Sequence, residues 1–463
     1  MPHTVALNEQ HTSSRNSSFD AHHPPEKQYI DDCVHCGFCL PACPTYVLWG
    51  EEMDSPRGRI YMIKKAAEGE APLDERFRLH MDNCLGCMAC MTACPSGVEY
   101  NKLIEPVRAQ IERKMPRDAG ERVFRKLIFA TFPHPGRLRL LTLPLLVYQK
   151  SGLRSLIRAT GITKLLPKRL AAMESLLPDV PAHSSARLPV IIRPLGAPRR
   201  RVGMLSGCVQ QVFFPHVNAA TARVLAAEGC EVVIPREQAC CGALMVHSGM
   251  EDDAAALAKK MIAVFEAADV DAIVINSAGC GSSMKEYGHL LRDDPAWAAR
   301  AAAFSAKCKD ISEVLCELEP QAPRHPLKLR AAYHDACHLQ HAQGVHDQPR
   351  RLLGGIPELQ VAEIPEGSLC CGSAGVYNLL QSETANQLGD RKVENLLTTG
   401  AEAVLSANPG CLLQLMNGLR RRGMKAMPAF HMVELLDASI RGIPVGELLR
   451  GDKPSPIDAN WKA

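Results

Sequence analysis

The spacing of apolar positions changes along this chain, and the changes divide it. From about residue 201 to 446, short apolar runs alternate with longer amphipathic stretches. RVGMLSG (201–207) and DAIVINSAGC (271–280) are brief apolar runs ending in small residues, as buried strands do. NAATARVLAAEG (218–229) and DAAALAKKMIAVFEAA (253–268) repeat apolar residues at three and four positions, which predicts helices. KLRAAYHDAC (328–337) and AEAVLSANPGC (401–411) bring back a strand that runs into a cysteine. Strands separated by helices predict an α/β fold, a parallel or mixed sheet covered by helices. Ligands of such folds gather beyond the C-terminal ends of the strands.

The first half reads differently. PRGRIYMIKKAAEG (56–69) opens on proline and places Ile60, Ile63 and Lys64 at helical spacing. Residues 121–200 mix basic and apolar residues in short helical stretches, which Pro133, Pro135, Pro144 and Pro167 are expected to keep short. Such stretches can pack on their own module, meet a partner subunit or lie on a membrane surface. The first 28 residues are rich in His, Ser and Pro and predict a disordered tail. The expected organisation is a tail (1–28), a cysteine-dense helical module (29–120), a basic helical linker region (121–200), two related α/β domains (201–320 and 328–446) and a C-terminal tail (447–463).

Composition narrows the function. With 53 basic and 50 acidic side chains the net charge is only +3, and aromatics are 5% of the chain, which argues against nucleic-acid binding. No stretch of 18 apolar residues predicts a membrane span. The N-terminus has no signal-peptide pattern, so the expected location is the cytoplasm. In that reducing compartment 19 cysteines read as metal ligands rather than disulfides.

Eight cysteines form two copies of C-x2-C-x2-C-x3-C-P: Cys33, Cys36, Cys39, Cys43 with Pro44, and Cys84, Cys87, Cys90, Cys94 with Pro95. This is the spacing of bacterial two-cluster ferredoxins, in which the fourth cysteine of each run ligates the other cluster. The expected cofactors are therefore two [4Fe–4S] clusters. One would take Cys33, Cys36, Cys39 and Cys94; the other Cys84, Cys87, Cys90 and Cys43. Zinc sites favour two C-x2-C pairs separated by a longer gap, which this run lacks. His35 is expected at the surface or behind the ligands. Arg57, Arg59, Lys64 and Lys65 either offset cluster charge, meet an acidic partner or form a solvated helix face.

Eight further cysteines repeat with offsets of 129 to 131 residues: Cys208, Cys240, Cys241 and Cys280, then Cys337, Cys370, Cys371 and Cys411. A register held this closely marks a duplicated domain. Four cysteines per copy suffice for one more cluster each, and zinc or free thiols are the alternatives. His334, His338, His341 and His346 surround Cys337 and are candidates for tuning or acid–base roles. Cys230, Cys308 and Cys316 have no counterpart in the repeat and read as small buried apolar residues.

Taken with the text around them, CVHCGFCLPACPTYVLWGEEMDSPRGRIYMIK, CLGCMACMTACPSGVEY, GCVQQVFFPHVNAATARVLAAEGCEV, SAGCGSSMKEYG, HDACHLQHAQG and LCCGSAGVYNLLQ closely resemble the iron–sulfur subunits of glycolate oxidases. The duplicated part resembles the cysteine-rich CCG domain of heterodisulfide reductases, lactate-oxidising complexes and anaerobic glycerol-3-phosphate dehydrogenase. The resemblance implies an electron-transfer subunit, with no catalytic residues of its own, in a flavin-dependent 2-hydroxy-acid dehydrogenase complex. FAD would sit on partner subunits, and electrons would pass towards quinone at the inner face of the cell membrane. It leaves a lactate or glycerol-3-phosphate dehydrogenase subunit, a heterodisulfide-type reductase and a zinc-holding scaffold as other readings. Heterodisulfide-reductase copies end in C-x2-C; here Ser277 and Asn408 stand at the first of those positions.

Overall fold

The computed structural model describes residues 17–161, 168–177, 180, 188–424 and 427–450. The expected C-terminal tail beyond residue 450, most of the expected N-terminal tail and parts of the linker lie outside the described residues.

The duplicated half is built on two sheets. β1 (Ile191–Ile192), β2 (Arg200–Met204), β3 (Cys230–Val233), β4 (Ala272–Ile275) and β5 (Cys308–Asp310) are ordered β1-β3-β2-β4-β5. β6 (Leu329–His334), β7 (Leu359–Glu363), β8 (Ala403–Ser406) and β9 (Ala429–His431) are ordered β7-β6-β8-β9. Without β1 the two orders are the same, and all their pairings are parallel. β1 pairs antiparallel with β3, so the end of the basic linker region adds an edge strand to the first sheet. β4 and β8 are buried throughout, which explains why their residues read as unbroken apolar runs.

The copies exchange helices. Pro215–Ala227, the long helix after β2, packs on Met432–Arg441, the helix after β9. Asp347–Gly354, following β6, packs on Ile311–Leu318, which follows β5. The two closing helices share a start signal: Asp310 with Glu313, and His431 with Glu434, each form a reciprocal capping box. A single apolar core runs through both copies, from Val202 and Val217 to Leu405 and Leu436. Within it Arg223 and Asp437 make a bidentate ion pair at 2.8 and 2.7 Å.

The cysteine-dense module is a cluster of short helices. Ser55 caps Pro56–Ala67 by accepting the Gly58 amide at 3.0 Å, and Asp74 caps Glu75–Asn83 by accepting the Phe77 amide at 2.8 Å. Residues 17–28, read from composition as tail, pack on this module. Phe19 is buried edge-on to Phe77, and Asp20 accepts the Gln110 amide and the Arg113 guanidinium. One aromatic anchor and one paired carboxylate suffice to hold a polar segment.

The basic middle forms the helices Ala119–Thr131, Pro135–Lys150, Leu153–Ala159 and Lys168–Leu176. Phe124, Ile128 and Phe129 pack against Met245 and Ala254 of the first copy and Val376 and Leu379 of the second. Pro144 lies inside a 16-residue helix and does not end it. Its missing amide bond would have gone to Leu140, which is exposed, so water can take the freed carbonyl. Leu140, Leu141, Leu143, Val147, Leu153 and Leu156 remain exposed on these helices. Among the described residues no helix is long and apolar enough to cross a membrane.

Candidate functional site

The eight motif cysteines line two adjoining cavities. Cys33, Cys36, Cys39 and Cys94 line the first, with Ile60 and Pro95. Cys43, Cys84 and Cys87 line the second, with Thr45 and Arg59. Cys90, Pro56 and Tyr100 border both. The fourth cysteine of each run therefore stands with the first cysteines of the other. The chain turns at Pro44 and Pro95 to carry each fourth residue away from its own loop.

The donor set suits a cluster of iron and sulfide. The sulfurs are soft, convergent and free of disulfides. Hydrogen-bond donors already point at them: the Gly86 amide lies 3.3 Å and the Tyr100 hydroxyl 3.8 Å from Cys84 Sγ. Burial pushes the Cys39 thiol up to about 11, the cost of placing an uncompensated thiolate there. Burial also acts to raise Cys84, but the guanidinium groups of Arg59 and Arg108 outweigh it and bring that thiol below its ordinary range. The two cavities differ in access. Cys36 is exposed between Val34 and Phe38, themselves 68% and 66% exposed, whereas Cys84, Cys87 and Cys90 are buried.

Of the four basic residues Arg57, Arg59, Lys64 and Lys65 on the helix Pro56–Ala67, only Arg59 is buried, at 1% exposure. It donates to Asp54 at 3.0 Å and to the His80 carbonyl at 2.7 Å. Arg57 pairs with Glu52 and donates to the His35 carbonyl at 3.2 Å. Lys65 pairs with Glu68 and Glu70 at the surface. His35 is exposed, at the rim of the first cavity.

In the duplicated domains the repeated cysteines converge at the C-terminal ends of the strands. Cys208 and Cys240 sulfurs are 3.5 Å apart, and Cys241 shares hydrogen bonds with Cys240 and Cys280. In the second copy the Cys370 thiol lies close enough to interact with those of Cys337 and Cys371, and Cys371 with that of Cys411. Each pocket holds one thiol well below its ordinary range, Cys240 and Cys371, because neighbouring thiols donate to it. The glycine that follows each pair has positive φ, +77° at Gly242 and +86° at Gly372. At Gly372 a Cβ would stand 2.6 Å from the Ala385 carbonyl oxygen, so a side chain is excluded twice over. Asn408 donates to the Cys411 sulfur at 3.4 Å, and its carbonyl meets the Ser277 hydroxyl across the copies at 3.4 Å. Cys230 and Cys308 are buried apart from these sets, and half-buried Cys316 donates to the Gln348 carbonyl.

The histidines around Cys337 separate into distinct roles. His338 donates from Nε2 to the Gly86 carbonyl at 2.9 Å, which leaves Nδ1 to accept the Ser282 hydroxyl at 2.7 Å. It thereby joins the second copy to the loop of the second motif and to the first copy. His341 donates to the Ser368 carbonyl and accepts the Thr92 hydroxyl at 2.9 Å. His346 is exposed beside Asp347. The same seam packs Cys87 and Ala89 against Leu369 and Cys370, with Cys337 alongside.

Known families match this layout segment by segment. A 4Fe-4S dicluster domain matches residues 29–98, the linker region of the glycolate oxidase iron-sulfur subunit matches 120–177, and the cysteine-rich domain matches twice, at 202–285 and 331–416. A probable glycolate oxidase iron-sulfur subunit of Bacillus subtilis (strain 168) is 43% identical over 411 residues, 88% of this chain and 93% of that protein. The chain belongs to the family of glycolate oxidase iron–sulfur subunits. The family member of Escherichia coli (strain K12) is 37% identical over 413 residues, again 88% of this chain and 93% of its own length. Lactate utilization protein A of Exiguobacterium sp. is 32% identical over 241 residues, 52% of this chain and 98% of that protein. Membership of the family agrees with the iron–sulfur character of the dicluster module and with the α/β architecture of the duplicated part.

Sequence reasoning left several residues of the seam unassigned. Arg108 donates to the Cys84 carbonyl and, at 2.9 Å, to the His247 carbonyl. Lys102 pairs with Glu286, and Arg125 donates to the Ser248 carbonyl at 2.9 Å. Each is a basic residue on a helix with mixed faces, and nothing in its spacing distinguishes it from a solvated one.

Proposed function

We propose that this chain carries electrons, one at a time, within a 2-hydroxy-acid dehydrogenase complex of glycolate oxidase type. FAD on partner subunits takes the hydride equivalent from glycolate, and this chain relays the electrons towards quinone. The observation that carries the reading is the division of the eight motif cysteines between two adjoining cavities. On that basis Cys33, Cys36, Cys39 and Cys94 hold one [4Fe–4S] cluster and Cys84, Cys87, Cys90 and Cys43 the other. When bound, such clusters change oxidation state by one electron with little movement of their ligands. The protein's part is to place them side by side, exclude water from the inner one and set their surroundings with Arg59, Arg108 and the Gly86 amide.

The four-cysteine sets Cys208, Cys240, Cys241, Cys280 and Cys337, Cys370, Cys371, Cys411 are proposed as further iron–sulfur sites. Their support is the convergence of four sulfurs at the strand ends of each copy. The second set adjoins Cys87, which makes it the next station after the inner cluster.

A place for the acceptor is also at hand. A cavity of about 210 Å³ opens between the dicluster module and the first copy, lined by Met88, Asn101, Glu105, His247 and Ser283 among others. Asn101 Oδ1, Ser283 Oγ and both ring nitrogens of His247 have no hydrogen-bond partner among the described residues. Apolar walls with the Asn101 and Ser283 oxygens unpartnered, and with His247 3.5 Å from Glu105 among other carboxylates, suit a neutral ring bearing carbonyl oxygens better than an anion. Peripheral association with the cytoplasmic face of the membrane is supported by the exposed leucines of Pro135–Lys150 and by Arg137 and Lys150 on the same helix.

The test is anaerobic reconstitution with the partner flavoprotein subunits. Glycolate is expected to reduce clusters on this chain, and a short-chain quinone to reoxidise them. A chain with zinc in place of iron, or clusters that glycolate never reduces with all partners present, would overturn the reading.

A further inference from the structure

One position breaks the chemical symmetry of the duplication. With the 129-residue offset that relates Cys208 to Cys337, Leu205 corresponds to His334. Leu205 is an ordinary buried leucine, at 2% exposure. His334 ends β6 at 1% exposure. A ring nitrogen of His334 and the sulfurs of Cys371 and Cys411 all lie within 4.8 Å of one another. The ring makes a close polar contact with Cys371, and among the described residues no hydrogen bond of normal geometry reaches its Nδ1.

A buried polar nitrogen without a full partner destabilises the fold that holds it. A fold that keeps this ring beside two thiols can recover that cost when the ring and the thiols share a cation. The carboxamide of Asn408 is directed elsewhere, since its nitrogen donates to Cys411 and its oxygen faces Ser277 and the Gly279 amide. A cation bound between the nitrogen and the sulfurs satisfies all three groups at once: imidazole offers a lone pair, and the thiols become thiolates.

We propose that His334 is a metal ligand standing in for one of the four thiolates, so that the second copy holds a mixed imidazole–thiolate iron–sulfur centre with Cys371, Cys411 and one further cysteine of its set, while the first copy offers thiolates alone. This rests on the reading that the repeated cysteines hold iron–sulfur sites. Its consequence is an ordering of the two copies. A neutral imidazole in place of an anionic thiolate leaves the centre less negative, so an added electron is less strongly opposed. Histidine ligation raises the potential of other iron–sulfur centres for the same reason. The second copy, beside Cys87, is then the higher-potential member of the pair.

The experiment uses the full chain purified anaerobically, with iron and zinc analysis and pulsed electron paramagnetic resonance of its paramagnetic states. Wild type is expected to give nitrogen hyperfine coupling of imidazole size. H334C keeps a ligand, and H334L copies the first repeat. Both are expected to lose that coupling, with the centre of H334C at lower potential than wild type. Iron assigned to the second copy by its loss in C411A, with the same nitrogen coupling in wild type and H334C, would overturn the proposal. Iron content unchanged in both C411A and C280A would instead overturn the reading on which it rests, as would zinc in the second copy.

Discussion

Arg59 holds its guanidinium 3.9 Å from the sulfur of Cys43, in a site from which water is excluded. Burial acts to lower its pKa, but Cys84, Tyr100, Cys43 and Asp54 together raise it, so the charge is permanent. A fixed positive charge beside a cluster favours the reduced, more negative state. Arg59→Gln is expected to lower the potential of the cluster at Cys43 and Cys84 and leave the other nearly unmoved. It also takes the guanidinium from buried Asp54, which keeps the Asn83 amide at 3.1 Å and His80 at 3.2 Å, so stability is expected to fall by less than about 3–5 kcal/mol, the cost of a fully broken buried pair. Redox titration followed by paramagnetic resonance, with denaturant unfolding, measures both effects. An unchanged potential in a folded, fully loaded variant would contradict the assignment.

The crossing of the fourth cysteines gives an unusual result in double variants. C36S/C94S damages one cluster if the ligands cross, and both if they do not. Purified without oxygen, this variant should keep about four irons in the dicluster module, the content of one [4Fe–4S] centre. C36S/C43S should keep none. Reversal of the two iron counts would establish uncrossed sites.

His338 and His431 make the fold sensitive to acid. Burial, helped by His247, holds His338 down at about 3, and burial holds His431 at about 4, against an ordinary value of 6.5. Both stay neutral in the folded chain while the unfolded chain takes up protons below pH 6.5. Their full stability is therefore present above 6.5 and is lost progressively as pH falls from there towards the folded values. At pH 5 each accounts for about 2 kcal/mol. Protonation of His431 also removes the acceptor that caps Met432–Arg441 through the Val433 amide at 3.2 Å. H338Q should flatten the pH profile of unfolding between 5 and 6.5 relative to wild type. Equal slopes in the two proteins would rule this out.

Arg223 and Asp437 are each almost fully buried, at 3% and 4% side-chain exposure. D437N should destabilise by about 3–5 kcal/mol, since it removes the negative member of a buried, bidentate ion pair. The apolar pair R223L/D437L should recover most of that loss. Guanidinium unfolding of the three proteins checks the order, and a double variant less stable than D437N would disprove it.

Much of this was legible in the sequence because cysteine chemistry demands rigid spacing. The two C-x2-C-x2-C-x3-C-P runs carry the dicluster module, and the strands that end near Cys208, Cys280, Cys337 and Cys411 carry the α/β fold. What stayed hidden depends on residues distant in the chain. Arg59 shares its helix with Lys64 and Lys65, and only the approach of Asp54 and the His80 carbonyl distinguishes it. His338 reads as one of four nearby histidines until Gly86, 252 residues away, comes within reach. Phe19 looked like part of a polar tail because one buried aromatic cannot alter the composition of 28 residues. Pro144 looked like a helix end because a local rule knows nothing of the solvent available to Leu140.

The exchange of helices between the copies has a symmetry of its own. The first helix of each copy covers the last helix of the other, which is the self-complementary arrangement of a two-fold dimer. The two copies within one chain thus pack on one another as the two subunits of such a dimer would. Joined in one chain, the two halves of that interface need not carry the same residues. Aligned on their capping boxes, Asp437 corresponds to Cys316, and on the cysteine register Arg223 corresponds to Leu352. One half of this interface thus keeps a buried ion pair where the other keeps a leucine and a cysteine, a difference that two identical subunits could not show.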